Sequence, residues 1–217
     1  PNDFDDVWDV VSHNCSKYLE IFIATKNVLF RGYRDNRPDM FIDEQRSDRK
    51  PIGSPHDGYG AEVQKYCDEL LSLAGFKALR GNSLFCNSSS VVSNFWGKPY
   101  VIFPFNNSSF TYSSLFTNTA AISYYWPFEK SSPLDTVFKP DFRPENAMMR
   151  SDKLMFLKNK ILTVEFAQKF VKRNEFHNDN LPWVLDYSMD VWFNGKVIGI
   201  DYKTYGGAIS DKLGFKI

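Results

Sequence analysis

Apolar positions near the start of the chain repeat at helical spacing. Phe4, Val7, Trp8, Val11, Cys15, Tyr18, Leu19 and Phe22 make one stripe and predict a single amphipathic helix. Asn2 or Asp3 can cap it, and Asp5 and Asp6 suit the positive end of its dipole. Val28 to Tyr33 then reads as a short strand carrying Arg31-Gly32. Residues 34–60 are charged and rich in Pro and Gly, so an ordered, solvated loop is expected there. Its Arg46, Arg49 and Lys50 are matched by Asp43, Glu44 and Asp48. A second helix is expected from Ala61 to Ala74, with Tyr66, Cys67, Leu70 and Leu71 inward and Gly75 as its left-handed cap.

From Asn82 to Tyr125 the pattern shortens. Leu84-Phe85, Tyr100 to Phe103 and Phe110 to Tyr112 predict strands between Ser, Asn, Gly and Pro. A third helical pattern follows Ser151 through Leu154, Leu157 and Ile161 to Phe170. Near the end, two apolar runs flank Asn194-Gly195, which predicts a β-hairpin with a type I′ turn from Met189 to Tyr202. Helices first and strands later, without βαβ alternation, predict one α+β domain over residues 1–217 with a mostly antiparallel core.

Composition narrows the classes further. The 217 residues carry 26 Lys plus Arg against 26 Asp plus Glu, so no basic excess advertises nucleic acid. Aromatic residues make up 17%, enough ring surface for a core without disulfide staples. Cys15, Cys67 and Cys86 lie far apart without a Cys-x-x-Cys or a nearby His pair, and read as buried, reduced thiols rather than a zinc site. No apolar run approaches the roughly 18 residues that span a bilayer. No Walker A sequence, Gly-x-Gly-x-x-Gly turn or Gly-x-Ser-x-Gly elbow is present.

Three separated points could share a chemistry. Arg31 at a strand end, followed by Gly32, can project a planar guanidinium toward a diphosphate. The run Asn82-Ser83-Leu84-Phe85-Cys86-Asn87-Ser88 offers small polar residues along a strand. Asp190 stands at the head of the last apolar run. A cation for phosphates, a polar strand and a carboxylate suit cleavage of an N-glycosidic bond, where a fixed negative charge faces an oxocarbenium-like ribose.

In that order these features resemble the arginine-serine-glutamate class of mono-ADP-ribosyltransferases. Leu29-Phe30-Arg31-Gly32, Asn82 to Ser88 and Tyr100-Val101-Ile102-Phe103-Pro104 are similar to bacteriophage-encoded members, across roughly residues 15–203. The resemblance implies an ADP-ribosyltransferase-like fold with NAD as co-substrate. It implies Arg31, Gly32, Ser83 and Asn87 as NAD-binding residues, with Ser88 supporting a catalytic acidic residue at Asp190. Asp190 departs from the family's glutamate by one methylene, which weakens the expected turnover. The acceptor would be a host protein or nucleic acid in the bacterial cytoplasm, with carriage in the virion as an extension of the same reading.

Two other readings compete. Asp190 with Asp201-Tyr202-Lys203 resembles the D…(D/E)-x-K core of metal-dependent nucleases, in which neighbouring strands hold Mg²⁺ between two carboxylates. A non-catalytic viral structural or host-interaction protein would instead use exposed Tyr, Trp and Phe as anchors.

Overall fold

The computed structural model describes residues 3–35, 37–43, 60–114 and 160–217. Its elements in chain order are α1 (Phe4–Asn14), α2 (Ser16–Thr25), β1 (Leu29–Tyr33), β2 (Met40–Asp43) and α3 (Gly60–Leu73). A 3₁₀ turn (Arg80–Asn82) leads into β3 (Leu84–Cys86), α4 (Ser90–Asn94), β4 (Lys98–Pro104) and β5 (Ser109–Ser113). After residue 160 come α5 (Val164–Arg173), β6 (Phe176–His177), α6 (Leu181–Asp186), β7 (Val191–Asn194), β8 (Val197–Asp201) and α7 (Tyr202–Leu213). The α+β class stands, although α5, α6 and α7 interleave with the late strands rather than preceding them.

Two antiparallel four-stranded sheets carry the strands, in the orders β1-β4-β8-β2 and β3-β7-β5-β6. Among the described residues one backbone bridge joins their edges, with Phe30 N–H donating to Asn87 O at 2.7 Å and Asn87 N–H to Phe30 O at 2.9 Å. Strand alternation sorts the side chains. Val191 and Phe193 face the main core with Leu29, Ile102, Phe103 and the helices α1 and α2, whereas Trp192 between them faces a second cluster under α3 and α5. The β3-β7-β5-β6 sheet is therefore covered on both faces.

The expected C-terminal hairpin does not form. β7 has β3 on one edge and β5 on the other, while β8 lies between β4 and β2. Both strands have no edge left for each other, so Asn194-Gly195 carries the chain from one sheet to the other. Asn194 is not among the non-glycine residues with positive φ, as a type I′ turn would require. Gly195 sits at φ +135°, where a Cβ would lie 2.5 Å from Ser108 Oγ. Ser108 belongs to the other crossing between the sheets, Phe105 to Ser108, and the two crossings lie side by side.

The first helix is also two helices. Cys15 breaks it at φ −120°, ψ 16°, and Asn106 takes up freed backbone groups by donating N–H to Asn14 O (2.7 Å) and accepting from Lys17 N–H (3.0 Å). The apolar stripe continues across the break, so Val11, Cys15, Tyr18 and Phe22 are all buried. Met40 to Asp43, expected as loop, forms β2 on β8. Arg46, Arg49 and Lys50, and the start of the third helical pattern at Ser151, lie outside the described residues. α5 realises the end of that pattern, with Phe170 buried. All three cysteines are buried and free. Among the described residues no helix is long and apolar enough to cross a membrane.

Candidate functional site

Backbone register brings Arg31, Asn87 and Asp190 to one junction. β3 pairs antiparallel with β7 from Leu84–Phe193 to Cys86–Val191, so the next residues outward are Asn87 and Asp190. The Phe30–Asn87 bridge places Arg31 alongside. Asn87 Nδ2 donates to Asp190 Oδ1 (3.3 Å) and to Ser188 O (2.8 Å), while its Oδ1 accepts from Ser89 N–H (2.8 Å). One buried amide thus fixes the carboxylate, the turn before it and the chain leaving β3.

Arg31 is partly buried. Its Nη1 donates to Phe85 O at 2.8 Å and its guanidinium lies 5.0 Å from the Tyr33 ring centroid. Its Nε is buried and makes no hydrogen bond. A buried guanidinium donor without an acceptor is costly, and an anion beside it would remove that cost. Cys86 reports both charges. Burial pushes its thiol up to about 12, Arg31 pulling it down and Asp190 pushing it further up. Both charged groups therefore act on the same buried residue.

Ser88, expected to support the acidic residue, bonds to the turn that precedes it. Its Oγ donates to Leu185 O at 2.7 Å and lies 3.2 Å from Ser188 Oγ, so it ties down the turn ahead of Asp190. Asn87, not Ser88, holds the carboxylate. That turn includes Ser188 at φ +51°, a residue the sequence did not single out. Its only advance signal was a small polar residue two positions before the acidic one.

Two of the expected NAD-binding residues are placed elsewhere. Ser83 lies before β3 at the strand's opposite end, next to Asn82, whose carbonyl accepts from Asn194 Nδ2. Four residues of strand put it roughly 13 Å from Asn87. Gly32 is needed by the chain itself, since a Cβ there would come within 2.0 Å of Ser93 O and 2.9 Å of Gly97 N. The space opposite Arg31 on β1 is filled by backbone from α4 and the turn after it.

The nuclease constellation is not assembled. Its premise of neighbouring strands fails because β7 and β8 belong to different sheets. Asp201 is buried and committed, accepting from Lys98 Nζ (2.8 Å), Thr204 Oγ1 (2.5 Å) and Lys203 N–H (3.1 Å) as the N-cap of α7. Burial alone would raise its pKa, yet these bonds hold it below the ordinary carboxylate value. Among the described residues no three His, Cys, Asp or Glu side chains gather as metal ligands would.

No protein-family model, curated protein or solved structure matches this chain.

Proposed function

We propose that the protein is an NAD-dependent mono-ADP-ribosyltransferase-like enzyme that modifies a macromolecule of a bacterial host. One observation carries this reading: Asn87, bridged by its backbone to Phe30 beside Arg31, grips the Asp190 carboxylate with its side chain, so residues distant in sequence come to one junction. The buried, unpartnered Nε of Arg31 supports a diphosphate as the anion. In this reading the bond between ribose C1′ and the nicotinamide nitrogen breaks, and both electrons leave with the ring, neutralising its positive charge. Positive charge grows on the ribose, and Asp190 supplies a fixed negative charge and a hydrogen-bond acceptor for a ribose hydroxyl. An acceptor nucleophile or water then bonds to C1′ and loses its proton to solvent.

Asp190 is one carbon–carbon bond shorter than glutamate, and misplacement of about 1 Å can cost on the order of a hundredfold in rate. Nicotinamide release from NAD by the purified protein is the direct assay. Wild type should release it, Asp190→Asn should fall to background, and Asp190→Glu should exceed wild type. Equal rates in all three proteins would remove Asp190 from the chemistry and the reading with it.

A further inference from the structure

The chain that leaves the candidate site immediately forms the most exposed apolar run among the described residues. In eight uncharged residues, Ser90 to Gly97, Val91 is 68% exposed, Val92 38%, Phe95 79% and Trp96 59%. Ordinary surfaces scatter such side chains singly. Here four of them share one short helix and the turn that follows it, and the backbone beneath is firmly held. Ser89 Oγ caps α4 by accepting from Val92 N–H at 3.3 Å, and Asn87 in turn holds Ser89 N–H. Gly97, at φ +132°, packs so closely on β1 that a Cβ would lie 2.2 Å from Tyr33 O. Nothing in this anchoring uses the Phe95 or Trp96 rings, apart from Arg34 lying 5.8 Å over the Trp96 ring. Rigid backbone carrying unburied rings is the arrangement of an anchor.

Alternation along β1 separates this surface from the co-substrate. Arg31 and Gly32 face opposite sides of the strand, and α4 sits on the Gly32 side. An NAD molecule held by Arg31 would leave Phe95 and Trp96 uncovered. The distance from Ser88 to the rings is still only about 10 Å along a one-turn helix. A partner docked on the rings would reach the edge of the site.

We infer that this surface docks the acceptor, and that the acceptor is a folded protein presenting a complementary apolar, uncharged surface; this rests on the function proposed above. Area argues for a transient substrate rather than a second copy of the chain. Aromatic side chains bury 150–250 Å² when covered, so the four exposures amount to roughly 400 Å². A stable dimer needs about 800 Å² from each partner, whereas short-lived encounters use less. Charge argues against nucleic acid, which is held by cations at phosphates. Residues 88–97 carry no Lys or Arg, and the single cation Arg34 over the Trp96 ring is too little charge to track a phosphate backbone. Neighbouring Lys98 is already bonded to Asp39 and Asp201, both at 2.8 Å.

The test uses biotin-labelled NAD and soluble bacterial lysate as the acceptor pool, with nicotinamide release measured separately on the purified protein. The variants are Phe95→Ser/Trp96→Ser, the conservative Phe95→Tyr/Trp96→Phe, and Val91→Ser as an independent lesion. The expected result is at least a tenfold loss of label in protease-sensitive, nuclease-resistant material for the serine pair. Nicotinamide release should stay within twofold, the conservative pair should restore labelling, and labelling should change little between 50 and 200 mM salt. Val91→Ser should lose label in the same direction. Labelling that survives the serine pair, or that resides in nuclease-sensitive material, overturns the docking surface alone. A wild-type protein that releases no nicotinamide overturns the proposed function, and this inference with it.

Discussion

Two carboxylates at strand ends, Asp190 before β7 and Asp201 ending β8, sit in differently bonded surroundings. Around Asp201 the bonding is closed. Lys98 bridges it to Asp39, Thr204 and the Lys203 amide complete its acceptor sites, and its own N–H donates to Asp39 O. The surplus of acceptors also holds the Lys98 ammonium well above its usual pKa, chiefly through its bonds to Asp201 and Asp39. At the junction of the sheets the bonding around Arg31 is open. Arg31 spends one Nη1 bond on a backbone carbonyl and buries Nε without an acceptor, and both Arg31 and Asp190 act on the buried Cys86 thiol. A saturated ion pair stabilises a fold, whereas a cation with buried donors to spare has capacity for a ligand. That difference separates a structural lock from a candidate site more sharply than residue types do.

The largest expected effect comes from loosening the open site without touching its charges. Asn87→Ala frees the Asp190 carboxylate and the Ser188 carbonyl, and nicotinamide release should fall on the order of a hundredfold. Because Asn87 positions another group, the loss should fall on kcat, with KM for NAD changing less. A loss confined to KM would place Asn87 against the co-substrate instead.

Next comes the closed site. Asp201→Ala removes the N-cap of α7 and one partner of Lys98. With Lys98 partly exposed, the pair is discounted for screening, and the total loss should be about 2 kcal/mol. Chemical denaturation would measure it, while NAD hydrolysis per folded molecule should stay unchanged. A large loss of hydrolysis would mean that the two regions are one site.

The smallest effect is a pH dependence. Asp201's folded pKa lies below its ordinary value of 3.8, so its contribution is fully present above that value. It is lost as the pH falls through the lower, folded value. The stability gap between wild type and Asp201→Asn should therefore be constant from pH 7 to about 5, then close in stronger acid. A gap that widens with acid would reverse the sign of the shift and contradict a closed network.

Local periodicity disclosed most of the elements but little of their pairing. The Val7–Val11–Tyr18–Phe22 stripe, the α3 pattern and the strands at 84–86, 98–104 and 109–113 all follow from spacing of apolar residues. Asn194-Gly195 misled because a turn signal is local, whereas β7 and β8 find their partners up to about 160 residues away. Cys15 concealed a helix break whose compensation comes from Asn106, far along the chain. β2 was hidden because Met40-Phe41-Ile42 sits among charges and prolines. At the site, Arg31 and Asp190 were legible from their places beside strands. Asn87's grip was not, since it depends on a register between β3 and β7 that no short motif encodes. Ser83 lies at the other end of β3 from Asn87, a separation that the register sets and the motif does not show.

In the proposed function Arg31 has donors to spare for a diphosphate. Thermal unfolding of wild type and Arg31→Ala with NAD, ADP-ribose and nicotinamide tests it most directly. A ligand that binds only the folded state raises the melting temperature, and a hundredfold excess over Kd contributes about 2.7 kcal/mol, roughly 5–10 °C for a chain of this size. NAD and ADP-ribose should both stabilise wild type by several degrees, and nicotinamide, which lacks the diphosphate, should not. Arg31→Ala should unfold near the wild-type temperature without ligand and lose both shifts. Wild-type curves that do not move with millimolar NAD or ADP-ribose, or shifts that survive Arg31→Ala, would contradict the account.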